Sequence, residues 1–128
     1  MSIVSTLKMK ENFVSLKQVD DEKIKAAEEE LGLKFNEDYK KCIKEFGIFS
    51  FDGHEFTGIS PSNRLDIVAA TKEYKDLIKD VKDDLYVIEK LGIDNIVIWQ
   101  NTEGKIYQSN TSGTFEKIAD SFEDYINE

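Results

Sequence analysis

Asp52, His54 and Glu55 fall together in Asp52-Gly53-His54-Glu55, where an imidazole beside carboxylates could in principle hold a metal and activate water. Spacing opposes that chemistry. Asp-Gly between two apolar runs reads as a tight hairpin turn, so His54 and Glu55 follow it on a strand and point to opposite faces. The sequence has no second histidine to complete a zinc set. The turn predicts a turn aspartate and an edge histidine instead. Cys42 and His54 form the one thiol and imidazole combination. Cys42, however, lies on an apolar helix face beside Ile43 and Phe46, where a thiol acts as a small hydrophobe. Acidic clusters are abundant at Asp20-Asp21, Glu28-Glu29-Glu30, Asp83-Asp84 and Glu123-Asp124. Their positions suit helix ends and solvent faces, whereas a glycosidase-type pair needs one carboxyl lodged in an apolar pocket. The seven glycines are dispersed, so no glycine-rich phosphate loop exists. The expectation is a protein without catalytic, cofactor-binding or metal-ligating residues, acting without turnover.

The elements that would position these groups are legible from periodicity. Ile24, Ala27 and Leu31 make one apolar stripe on a helix whose other side is Glu28, Glu29 and Glu30. Asp20 can cap it, Val19 can staple to Ile24, Gly32 can end it, and Leu33 would fold back onto Ala27. A second helix starts after the N-cap Asn36, with Glu37 and Asp38 against the dipole, and buries Tyr39, Cys42, Ile43 and Phe46 before Gly47. The Asp52-Gly53 hairpin then pairs Phe49 with Phe56. After the breaker Ser60-Pro61-Ser62-Asn63, Ala70, Tyr74, Leu77, Ile78 and Val81 predict a surface helix from about residue 65 to 81. In the next strand Leu85 and Val87 point one way and Tyr86 and Ile88 the other. That strand and Ile96 to Trp99 are apolar on both faces, which predicts central strands covered by helices on both sides. The aromatic residues Phe49, Phe51, Phe56 and Trp99 are expected in the core. Asn101 to Gly104 turns into residues 105–109, Asn110 to Gly113 makes another turn, and a short last strand spans Phe115 to Ile118. Asp120 and Glu123 resemble a capping box for a closing helix on Phe122, Tyr125 and Ile126. The fold class is α+β, a single domain over residues 1–128 with a mainly antiparallel sheet flanked by helices.

The order of these signals carries a resemblance. The run AEEELGLKFNEDYKKCIKEFG, followed by an aromatic hairpin ending in FTGI, resembles the SUKH superfamily, which includes the Smi/Knr cell-wall regulators. Leu31-Gly32, Asp38-Tyr39 and Gly47 stand where that family has its helix ends and second helix start, and Asn36 takes the place of its usual proline. LYVIE at 85–89, IVIWQ at 96–100 and IADSFEDYI at 118–126 are also similar, so the likeness covers about residues 20–127. In bacteria the resemblance implies an immunity protein that binds and neutralises a cognate polymorphic toxin, often a nuclease. In eukaryotes it implies a regulatory adaptor for a cell-wall or signalling partner, usually with long disordered flanks, which are not expected for this chain.

Composition limits both readings. A chain of 128 residues can bury roughly two-thirds of its surface and needs no covalent staple. One cysteine excludes an internal disulfide and fits a reducing, cytoplasmic location. Residues 1–19 lack a continuous apolar stretch, so neither a signal peptide nor a membrane span is expected, and the Asn110-Thr111-Ser112 sequon would be idle. Net charge is −9, with −5 in residues 20–38 and −5 in residues 94–128. Such acidity repels phosphate backbones, and Arg64 is the sole arginine, so direct nucleic-acid binding is not expected. A basic protein partner is expected, held by Glu28, Glu29, Asp38, Asp52, Glu55, Glu103 and Asp124 in place of substrate phosphates, with a few apolar residues slowing dissociation. Oligomeric state is not readable from these features.

Overall fold

A computed structural model describes residues 2–93 and 95–128. The described residues form α1 (Ile3–Lys8), β1 (Val14–Ser15), α2 (Asp21–Leu31), α3 (Glu37–Phe46), β2 (Phe49–Phe51) and β3 (His54–Phe56). They continue as α4 (Ile67–Leu77), β4 (Tyr86–Lys90), β5 (Val97–Gln100), β6 (Ile106–Ser109), β7 (Phe115–Ala119) and α5 (Phe122–Ile126). The strands make one sheet in chain order, β1 to β7, and every neighbouring pair is antiparallel. The expected α+β architecture is therefore present.

Alternation along β4 and β5 decides what covers each face. Tyr86, Ile88 and Ile98 enter the larger core with Phe35, Tyr39, Ile43 and Phe46 from the α2–α3 region and Phe122 and Ile126 from α5. Leu85, Val87, Val97 and Trp99 point the other way and meet Ala70, Tyr74 and Ile78. Helices thus cover both faces of the central strands, as their two-sided apolarity predicts. Trp99 is wholly buried and its indole N–H donates to Ser109 Oγ at 2.8 Å, so it is a core residue with its polar edge satisfied. Phe49, Phe51 and Phe56 are buried too, with Phe49 stacked on Phe56 across the predicted register.

Several local expectations need correction. Asp20 occupies the N-cap position of α2, but its side chain makes no capping bond. Helix α4 ends at Leu77, short of 81, and Leu77 is exposed while Ile78 is buried in extended backbone. The cap of α5, which starts at Phe122, is Ser121, whose Oγ accepts from Asp124 N–H, while Asp120 one residue earlier pairs with Lys117 at 2.7 Å. Helix α1 and strand β1 were not expected. Ile3 and Leu7 bury one side of α1, and Ser2 caps it.

Gly47 and Gly58 hold the end of α3 against the end of β3. A Cβ on Gly58 would come within 1.7 Å of the Gly47 carbonyl oxygen, and Gly47 itself has φ +74°. Ile59 N–H donates to that same carbonyl, and Ile67 N–H donates to Gly58 O at the start of α4. The glycine in the FTGI run is thus fixed by close backbone approach.

Candidate functional site

The buried carboxylate of Glu89 lies behind His54 and Tyr125, two of the side chains that line a cleft between the β2–β3 hairpin and α5, the Glu89 cleft. Strand β4 carries a bulge between Val87 and Glu89: Val87 pairs with Trp99, and Glu89 pairs with Ile98. Strict alternation would send Glu89 to the α4 face with Leu85 and Val87. The extra residue turns it to the face shared by Ile98 and Phe56, its partners on either side. The bulged backbone is satisfied by two wholly buried threonines. Thr71 Oγ1 accepts from Val87 N–H at 3.0 Å, and Thr57 Oγ1 donates to Val87 O at 2.7 Å.

Glu89 is 2% exposed and accepts on both oxygens. His54 Nδ1 lies 2.8 Å from one, and the Tyr125 hydroxyl donates to the other at 2.6 Å. An ionised carboxylate only accepts, so toward such a partner Nδ1 is the donor. Burial and the adjoining Glu89 carboxylate push the Tyr125 hydroxyl up, which keeps it a donor. Phe51, Phe56, His54 and Tyr125 wall a cavity of about 410 Å³, with Glu11, Asp52 and Glu128 among the other lining residues. His54 does not sit on an edge strand, since β3 is flanked by β2 and β4. Glu89 was overlooked in the sequence; a lone acid inside an apolar strand was the available signal.

The structure scatters the seven expected contact residues. Glu28 is corrected outright: expected on the solvent side of α2, it is 4% exposed, because it stands four residues after Ile24 and three before Leu31, on the edge of the apolar stripe. Its carboxylate accepts from Phe35 N–H at 2.8 Å and lies 3.5 Å from Lys40 Nζ, so it ties the α2–α3 linker down. Glu29 is exposed on α2. Asp38 is exposed at the start of α3, and Glu103 in the β5–β6 turn lies at the same end of the molecule. There Asn36 Nδ2 donates to Thr102 O and Thr102 Oγ1 donates to Lys34 O. Asp52 lines the Glu89 cleft, and Asp124 is exposed on the helix that supplies Tyr125. Glu55 diverges from His54 as expected, and both its oxygens bond Arg64, which lowers its carboxyl below the usual range. Among the described residues Glu29, Asp38, Asp52, Glu103 and Asp124 make no ion pair.

Other chemistry is limited. Cys42 is buried and burial pushes its thiol up, which disfavours the thiolate. Among the described residues no group of three or more His, Cys, Asp or Glu side chains converges as a metal site. No described helix is long and apolar enough to cross a membrane.

Comparison with protein families gives a model described as SMI1-KNR4 cell-wall, of the SUKH type, matching residues 21–126. The chain belongs to the SMI1-KNR4, or SUKH, family. No curated protein matches the sequence. The matched span runs from the first residue of α2 to the last of α5, so this SUKH chain places α1 and β1 ahead of it.

Proposed function

We propose that this SUKH protein is an immunity protein, which binds a basic toxin domain of nuclease type in the cytoplasm and blocks it one-to-one without turnover. The observation that carries the reading is free acidity on a family domain. With a net charge of −9, it leaves Glu29, Asp38, Asp52, Glu103 and Asp124 exposed and without an ion pair among the described residues. Charges already paired in the free protein have less to offer a partner, so Glu55, held by Arg64, contributes less than Asp52. Complementary charge accelerates encounter, and carboxylates over a basic cleft compete with substrate phosphates there.

The test is capture on the immobilised protein from lysate of its source, with stepped salt elution and mass spectrometry. The expected result is a basic toxin domain eluting at high salt whose toxicity disappears at one equivalent of this protein. Retention of cell-envelope or signalling proteins alone overturns the immunity reading and favours an adaptor, the second reading, which the cell-wall description of the family supports.

A further inference from the structure

The Glu89 cleft already contains a cation. Lys10 Nζ lies 5.8 Å from the centroid of the Phe51 ring and donates to Asn127 Oδ1 at 2.7 Å. An ammonium over an aromatic face is held by the ring quadrupole, and the Asn127 carbonyl supplies a directional acceptor. The walls suit a flat or extended cationic side chain, since Phe51, Phe56 and Tyr125 give apolar contact for a stem while Asp52, Glu11 and Glu128 give negative charge for the head. Under the floor, Glu89 spends both oxygens on His54 and Tyr125, so it fixes the wall geometry and leaves recognition to the groups above it. Lys10 itself comes from the segment between α1 and β1, ahead of the family match. Its long side chain is tied by one surface hydrogen bond and one long cation–π contact, each weak at a site open to solvent.

We propose that this cleft receives a lysine or arginine side chain of the protein partner, and that Lys10 occupies it in the free protein and is displaced on binding. The inference rests on the reading of the partner as a basic protein, and it names where one of that partner's cations seats. A displaceable internal cation also gives specificity: a partner side chain must outcompete Lys10, which a neutral or acidic side chain at that position cannot do.

The test uses the intact, isotope-labelled protein and small probes followed by nuclear magnetic resonance. The probes are Nα-acetyl-arginine methylamide and Nα-acetyl-lysine methylamide, with Nα-acetyl-glutamine methylamide as the uncharged control. Saturable shifts from the cationic probes alone, confined to Phe51, His54, Tyr125 and their neighbours, are expected. Lys10→Ala should tighten probe binding by about threefold, and Asp52→Asn should weaken it by about threefold, the size of one exposed charge contact. Asp52 has φ +45°, a conformation asparagine tolerates, so this variant keeps the turn. Shifts spread over Glu29 and Asp124, an equal response to the glutamine probe, or unchanged affinity in Lys10→Ala overturns the proposal. The probes need no toxin, so the two readings fail separately. Probe binding in the cleft without any neutralised toxin removes the immunity reading alone, and a neutralised toxin that ignores both Lys10→Ala and Asp52→Asn removes the cleft alone.

Discussion

Glu28 and Glu29 are neighbours of the same type with opposite duties, and helical spacing separates them, since Glu28 stands four residues after Ile24 and three before Leu31. Glu28 therefore borders the stripe of Ile24, Ala27 and Leu31 and is covered where the α2–α3 linker folds back, while Glu29 faces solvent. The linker needs an acceptor for Phe35 N–H in a place water does not reach, and the Glu28 carboxylate provides it. Glu28→Ala should therefore cost about 2 kcal/mol by leaving that donor unsatisfied. Glu28→Gln, which keeps an acceptor oxygen, should cost less, and Glu29→Ala should stay within about 0.5 kcal/mol of the parent. Urea unfolding of the three variants checks this, and equal losses at the two positions would contradict the burial assignment. Charge reversal at Glu28 would thus report on folding, while reversal at Glu29 or Asp124 reports on surface recognition.

The bulge in β4 is the element that sequence patterning cannot show, because alternation is a rule about regular strands. Leu85, Val87, Tyr86 and Ile88 follow the rule and were assignable to their faces; Glu89 breaks it by one residue and gains His54 and Tyr125 as neighbours. What makes the bulge tolerable is side-chain satisfaction of Val87 from Thr57 and Thr71. Thr71→Val keeps the shape and removes the acceptor for Val87 N–H, so a loss of about 1–3 kcal/mol is expected. Thr71→Ser should retain most of that stability. Denaturant midpoints for the pair decide it, and a neutral Thr71→Val would mean that the bulge does not depend on this bond. The longer helices and the hairpins were readable because caps, glycines and turn residues coincide with periodicity there. Helix α1 and strand β1 were not. Their apolar residues are few, and β1 forms only through pairing with the distant β2, at Val14 with Ser50 and Ser15 with Phe49.

At the scale of the whole molecule, several acidic hydrogens are locked inside. Burial pushes up the Cys42 thiol and the Tyr39 and Tyr86 hydroxyls. In the unfolded chain these groups ionise near pH 8.5 for the thiol and about pH 10 for the phenols, while the native protein keeps the protons. The native state then binds more protons than the unfolded state, and stability falls as pH rises through that window. Urea midpoints should decline from about pH 8.5 upward, steepen near pH 10, and decline later in Cys42→Ala, which lacks the first group to ionise. A flat profile to pH 10 would contradict the burial of these three side chains. The fold class was legible because two-sided apolar strands and amphipathic helices leave few other arrangements; the distribution of free and paired charge was not, since ion pairs such as Asp21 with Lys44 and Glu30 with Lys72 join residues distant in sequence. The strand order adds something about assembly. Because each strand pairs with the one made just before it, a nascent chain can build the β2–β3 hairpin and the β4–β7 meander progressively, while β1 waits for β2 and β3 for β4 across the intervening helices. Core closure does not keep pace. Phe122 of α5 packs on Tyr39, Phe49 and Phe56, with ring centroids 5.0, 6.1 and 5.2 Å away, so these aromatic residues lack their cover until the chain has been made through α5. During that interval a growing chain shows an aromatic surface that chaperones can hold, and the Tyr125 wall of the cleft arrives in the same late step.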